Sequence, residues 1–179
     1  MQRKKARKTG FTLIELLIAI TIIGILVAVG LGSFGSAQKK ARDSKRKTDL
    51  QSISRALELY YNDCGAYPLT GNNNVIAGCG ATGSCNTSAS DCSWGGVFTR
   101  NGINYMTEIP SDPMGNYYYV SNGTSYGLYA RLENTSDSAV PHNGTTPQGY
   151  ETTLCRSAAR CNYGIKSSNA ATLGTTVDD

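Results

Sequence analysis

An apolar stretch that is long enough to cross a membrane begins at Phe11. Residues 11–32 consist mainly of Ile, Leu, Val, Ala and Gly, and Glu15 is the only charged residue among them. A helix of that length rises about 33 Å, which matches the hydrocarbon core of a bilayer. We therefore expect a basic leader over residues 1–10, followed by a transmembrane and assembly helix over residues 11–32.

The pattern then changes to that of an amphipathic helix. Ile53, Leu57 and Tyr61 recur at a spacing of four along one face, which is typical of a helix packed on a core. We predict that the first helix continues without a break through residues 33–63. Gly65 supplies the residue type that commonly ends a helix.

A loop region without hydrophobic periodicity follows over residues 64–116, and it is rich in Gly, Asn, Ser and Thr. Four of the six cysteines lie there, and the full set is Cys64, Cys79, Cys85, Cys92, Cys155 and Cys161. Their even number and the lack of paired zinc-type spacings indicate disulfides formed outside the cytoplasm. Cys155 and Cys161 are the favoured pair, because they are isolated from the others. The remaining pairing is left open, since six cysteines allow fifteen arrangements.

Residues 117–168 have the alternating pattern of an antiparallel sheet. Tyr117 begins an aromatic and β-branched run, Asn122 and Gly123 form a turn dipeptide, and a second alternating run begins at Tyr126. This predicts a hairpin whose even-numbered positions pack on the long helix. Further strands are expected at residues 151–155 and 161–166, ahead of a flexible tail over residues 169–179.

Charge is distributed very unevenly along the chain, whose net charge is +4. The leader carries five basic residues, residues 39–47 carry six more, and the part from Thr48 onward is acidic. An acidic outer part argues against a nucleic-acid-binding domain. For the second basic cluster we prefer a solvated helix face near lipid headgroups, and a phosphate-binding stripe for DNA is the alternative.

Glu15 is unusual because a carboxylate at membrane depth is costly. Such a group is expected to pair with a cation, here on a partner chain. Gly24, Ala28 and Gly32 recur every fourth residue, so they form a stripe that lets helix backbones approach closely. An ordinary cleaved signal peptide fits less well, because its apolar region spans only about 7–15 residues.

The run Lys8–Leu17, KTGFTLIELL, resembles the prepilin signature of type IV pilins and type II secretion pseudopilins. The resemblance implies that a prepilin peptidase cuts after Gly10 and methylates the new N-terminus at Phe11, and that Glu15 acts in assembly. The run before the hairpin, Ile109–Tyr117, is similar to a turn of the major pseudopilins. Some of these bind calcium after the hairpin, but their run of aspartates is not reproduced around Glu133, Asn134 and Asp137. We expect a solvated loop there.

The expected fold is α+β, with a long N-terminal helix, half of it transmembrane, packed on a small antiparallel sheet as in pilins. The resemblance implies a filament subunit, not an enzyme, that needs no cofactor or metal. Its expected partners are copies of itself and other pilins or pseudopilins, the prepilin peptidase, an inner-membrane assembly platform and the bilayer. The precursor would cross the cytoplasmic membrane once, with its C-terminal domain outside. The choice between a type IV pilus and a secretion pseudopilus remains open. The alternative to a filament subunit is an anchored binding domain that never polymerises.

Overall fold

The computed structural model describes residues 10–85, 90–150, 155, 161–170 and 176–178, with side chains except in residues 29–33 and 176–178. Most of the predicted leader therefore lies outside the described residues. By its internal contacts the chain divides into two compact units, Met1–Lys39 and Lys40–Asp179.

One long helix, α1, extends over Leu13–Cys64. Its end has the predicted chemistry, because Gly65 takes a positive φ of 69° and its N–H donates to the carbonyl of Tyr61 at 2.7 Å. A left-handed glycine directly after the last turn is a common helix stop. The prediction of a single continuous helix is confirmed.

Within the residues that the structure describes, eight short strands follow α1 and form three antiparallel sheets. The first is a hairpin of β1 (Phe98–Arg100) and β2 (Ile103–Met106). The second has the order β3 (Tyr118–Ser121), β4 (Tyr126–Ala130) and β7 (Tyr163–Lys166). The third has the order β5 (His142–Asn143), β6 (Thr146–Tyr150) and β8 (Thr176–Asp178).

The hairpin predicted around Asn122 and Gly123 is confirmed as β3–β4, and Ser121 pairs with Tyr126. Its connection is a four-residue loop, not a two-residue turn. Within it the side chain of Asn122 accepts the N–H groups of Thr124 at 3.0 Å and Ser125 at 2.9 Å. This side chain supplies the acceptor that a tight turn would take from the backbone.

Two sequence expectations for the later strands need correction. Of the strand expected at residues 151–155, Cys155 is helical and residues 151–154 fall outside the described residues, while the strand β6 ends just before them at Tyr150. The hairpin β1–β2 was not predicted at all. Part of the segment expected to be a flexible tail forms β8, which pairs with β6.

The core of the second unit lies between α1 and the sheet β3-β4-β7. Ile53, Leu57 and Tyr60 of α1 are at most 1% exposed and pack with Leu128 of β4. Tyr60 is buried in place of Tyr61, the residue predicted from the helical spacing, which is 37% exposed. On the opposite face of β4, a second cluster contains Tyr129, Tyr150, Cys155 and Cys161. Successive side chains of β4 therefore point alternately towards α1 and towards this smaller cluster, as expected for a strand.

Candidate functional site

The predicted processing residues lie directly before the start of α1. Gly10 is exposed, with no atom within 4 Å of the position that a Cβ would occupy. Phe11 is 85% exposed, and α1 begins two residues later at Leu13. The peptide bond between Gly10 and Phe11 is therefore accessible in the isolated chain.

Thr12 and Glu15 form a capping box at the N-terminus of α1. One carboxylate oxygen of Glu15 accepts the N–H of Thr12 at 2.9 Å and the hydroxyl of Thr12 at 2.7 Å. In return, the N–H of Glu15 donates to the hydroxyl oxygen of Thr12 at 3.4 Å. This reciprocal arrangement satisfies backbone donors that a helix start leaves free. Glu15 thus has a partner within its own chain.

The first turns of α1 present apolar side chains on all sides. Every large hydrophobic residue from Phe11 to Val27 is more than half exposed in the isolated chain. A continuous apolar surface of this kind marks a site that binds another surface. Gly24 and Ala28 are also exposed, and Gly32 belongs to the same helix. Across the described stretches of the chain, no helix meets the combined length and hydropathy requirement for crossing a membrane.

The second basic cluster of the sequence is the centre of an ion-pair network. Arg46 is only 4% exposed at its side chain and contacts three carboxylates. Its guanidinium lies 2.8 Å from Asp43, 2.6 Å from Asp112 and 2.9 Å from Glu133. Asp112 and Glu133 come from loops far away in sequence, so Arg46 joins two loops to the helix.

Further pairs on both sides of Arg46 complete this network. Arg42 binds Glu133 through two hydrogen bonds, at 2.6 and 2.5 Å. Lys47 lies 2.6 Å from Asp137, and Asp43 accepts the backbone N–H groups of Glu133 and Asn134, each at 2.9 Å. We call the set of Arg42, Asp43, Arg46, Lys47, Asp112, Glu133 and Asp137 the ion cluster.

The ion cluster corrects two expectations from the sequence. The interpretation of the second basic cluster as a solvated helix face was wrong for Arg42, Arg46 and Lys47, which bind carboxylates of the same chain. The other three basic residues of that cluster, Lys39, Lys40 and Lys45, are exposed. The loop around Glu133 and Asp137 is not simply solvated either, because these carboxylates are ion-paired and only 21% and 22% exposed. Pairing that joins residues about 90 positions apart leaves no local pattern in the sequence.

Pairing within the ion cluster shifts the pKa values of Glu133, Asp137 and Arg46 towards their charged forms. The hydrogen bonds from Arg42, with those from Arg46, lower the pKa of Glu133 to about 2 despite its partial burial. The hydrogen bond from Lys47 lowers the pKa of Asp137. Burial by itself would lower the pKa of Arg46, but hydrogen bonds to Asp112 and Glu133 outweigh it and raise that pKa. These groups therefore remain charged at neutral pH.

The six cysteines form three disulfides. Cys155 is bonded to Cys161, the pair that the sequence analysis favoured. The pairs that were left open are Cys64 with Cys85, and Cys79 with Cys92. The first of these ties the end of α1 to the loop region. Within the ranges that the structure describes, no group of three or more His, Cys, Asp or Glu side chains is placed to hold a metal.

The chain matches two models of known protein families. Residues 5–31 match the prokaryotic N-terminal methylation motif, and residues 33–139 match type II secretion system (T2SS), protein G. The chain is 32% identical to the type II secretion system core protein G of Pseudomonas aeruginosa, over 73% of this chain and 85% of that protein. It is 30% identical to the Vibrio cholerae protein of the same name, over 68% of this chain and 76% of that protein.

A pilin also resembles the chain. The type IV major pilin protein PilA of Myxococcus xanthus is 33% identical, over 48% of this chain and 43% of that protein. No solved structure matches the chain significantly. These matches define a structural subunit of a pilus or pseudopilus, which associates with other pilins into a filament in the periplasm or at the cell surface. The chain belongs to the type II secretion system protein G family.

Proposed function

We propose that the chain is a pseudopilin of a type II secretion system, with a structural and not an enzymatic role. The observation that carries this proposal is the extent of the family match. Residues 33–139 cover most of the second unit, whereas the pilin of Myxococcus xanthus matches less than half of the chain. A type IV pilus subunit is the second candidate, favoured by the length of the disulfide-bonded loop region.

Maturation would begin with cleavage by the prepilin peptidase after Gly10 and methylation of Phe11. Both residues are exposed and precede the helix, so a peptidase could reach the peptide bond between them. Removal of the leader takes away five basic residues and changes the net charge from +4 to −1. It also creates an α-ammonium group on Phe11, four residues ahead of Glu15.

Before assembly, residues 11–32 would anchor the precursor in the cytoplasmic membrane as a single span. The apolar character of this segment and the N-terminal motif support that role. The three disulfides support a location of residues 40–179 outside the cytoplasm, because disulfides persist in oxidising compartments. An inner-membrane assembly platform would then move the subunit from the bilayer into the filament.

In the filament, the apolar surface of α1 would be buried against the same helix of neighbouring subunits. The stripe of Gly24, Ala28 and Gly32 would allow close approach of the backbones. The carboxylate of Glu15 would leave its capping box and pair with the α-ammonium of Phe11 in a neighbouring subunit. Two charges in an apolar environment offset their desolvation cost only when they are paired, which would fix the axial register of the subunits.

Three variants separate the two contacts that Glu15 can make. Glu15→Ala removes the charge and the carboxylate half of the capping box, whereas Glu15→Gln keeps an oxygen that can accept the N–H of Thr12 and removes only the charge. Thr12→Val keeps the charge and removes only the hydroxyl half of the capping box. If charge pairing drives assembly, both Glu15 variants enter the membrane but yield no sheared filaments, while Thr12→Val still assembles. Normal filament yield from Glu15→Gln would remove the proposed charge pairing.

Intact mass of the native protein tests maturation. We expect the mass of residues 11–179 plus one methyl group, minus six hydrogens for three disulfides. A chain that retains residues 1–10 would instead support the anchored binding domain that never polymerises. Electron microscopy then separates the two machines, because long surface fibres indicate a type IV pilus. Loss of protein secretion on deletion of the gene, without loss of surface fibres, indicates a pseudopilus.

A further inference from the structure

The loop between β4 and β5, residues 131–141, is fixed to α1 through its acidic side chains. We call it the anchored loop. Glu133 receives hydrogen bonds from Arg42 and Arg46, and Asp137 receives one from Lys47 at 2.6 Å. Asp137 also accepts the N–H of Ala139 at 2.9 Å through the same carboxylate oxygen. Both carboxylates of the anchored loop therefore already have protein donors.

Backbone oxygens of the anchored loop are used in the same way. The ring of His142 lies between two of them, with Nδ1 at 2.7 Å from the carbonyl of Val140 and Nε2 at 3.0 Å from that of Thr135. The carbonyl of Asn134 accepts the N–H of Asp137 at 3.1 Å. The carbonyl of Asp137 in turn accepts the N–H of Val140 at 3.0 Å. The anchored loop is thus held together by hydrogen bonds between protein groups.

This arrangement does not fit the calcium site that resemblance to major pseudopilins suggests for this region. Calcium needs about 6–8 oxygen ligands within about 2.6 Å, and it binds carboxylates that are free to approach it. Glu133 and Asp137 are instead occupied by Arg42, Arg46 and Lys47. A divalent cation beside these three positive charges would be repelled by each of them.

We propose that Arg42, Arg46 and Lys47 fasten the anchored loop to α1 in place of a metal ion, so that residues 40–179 fold without calcium. The three side-chain cations balance the negative charge of the carboxylates, as a calcium ion bound between them would. They also add direction, because the guanidinium of Arg42 binds both oxygens of Glu133. The lowering of the pKa of Glu133 by Arg42 and Arg46, and of Asp137 by Lys47, agrees with this pairing.

The first test is thermal unfolding of the full chain in detergent micelles, followed by the fluorescence of Trp94, which packs against Tyr117. The midpoint is measured with calcium chloride at about 10⁻² M and with EGTA, at matched ionic strength. Even a weak extracellular site, with a Kd of about 10⁻³ M, would then be mostly occupied and would raise the midpoint. We expect the same midpoint in both solutions. A higher midpoint in calcium would overturn the proposal.

The second test is a double-mutant cycle on Lys47 and Asp137. Lys47→Gln and Asp137→Asn should each lower the midpoint, by about 2–4 °C for a pair worth about 1 kcal/mol. The double variant should lower it by no more than the larger single change, because both remove the same contact. Lys40→Gln is the matched control, since Lys40 is exposed on the same helix and should leave the midpoint unchanged. Unchanged midpoints for both single variants would also overturn the proposal.

Discussion

Replacement of Arg46 by Met is the most direct test of how the second unit is held together. Arg46→Met keeps a long apolar stem and removes the guanidinium that contacts Asp43, Asp112 and Glu133. The side chains of Asp43 and Asp112 are 3% and 4% exposed, so water cannot replace the lost partner without local opening. The variant therefore leaves two buried carboxylates with fewer donors.

The size of the effect depends on the donors that remain. Removal of one member of a buried ion pair costs about 3–5 kcal/mol of unfolding free energy. Asp43 keeps the N–H groups of Glu133 and Asn134, and Asp112 keeps those of Met114 and Gly115, each at 2.8–2.9 Å. We therefore expect a loss near the lower end, about 3 kcal/mol, or roughly 6–12 °C in the unfolding midpoint.

Urea unfolding of the full chain in detergent, followed by Trp94 fluorescence, gives the free energy from the midpoint at constant slope. Arg42→Met is the matched control. Arg42 also binds Glu133, but its side chain is 28% exposed, so water can replace part of what it donates. We expect the control to lose less than half as much stability. Equal losses in the two variants would refute the argument that burial makes Arg46 the central residue.

Two further predictions concern acid and the disulfides. Glu133 has a pKa of about 2 in the folded chain and about 4.3 when unfolded, so its stabilisation is complete above that unfolded value and is lost as the pH falls towards 2. Glu133→Gln should therefore unfold with a weaker acid dependence between about pH 5 and 2 in a urea titration. The disulfide Cys64–Cys85 closes a longer loop than Cys155–Cys161, with sequence separations of 21 and 6. Paired Cys→Ser variants should therefore lose about 3.3 and about 2.2 kcal/mol respectively, measured by the same unfolding assay.

The features predicted correctly are those that depend on neighbours in sequence. The long helix follows from an uninterrupted apolar and then amphipathic pattern that ends at Gly65. The hairpin β3–β4 follows from two alternating segments that flank Asn122 and Gly123. The motif around Gly10, Phe11 and Glu15 is a run of ten residues, and the family it resembles is the family to which the chain belongs. Periods of 3.6 and 2 residues are visible in a single chain.

The capping box could also have been found in the sequence. Thr12 and Glu15 have the spacing of a capping box just ahead of an apolar run. The prediction that Glu15 pairs with a cation on a partner chain leaves out Thr12, a partner three residues away in the same chain. Hydrogen bonds over such short separations belong to the part of the structure that local pattern can reveal.

Tertiary structure alone determined what the basic cluster does. The sequence established that residues 39–47 are strongly basic and that the rest of the outer chain is acidic. It could not assign Arg42 to Glu133, or Lys47 to Asp137, because these partners are 91 and 90 residues apart. A charge shows no periodicity that points to a distant partner, and only the packing of the loops on α1 brings these groups within hydrogen-bonding distance.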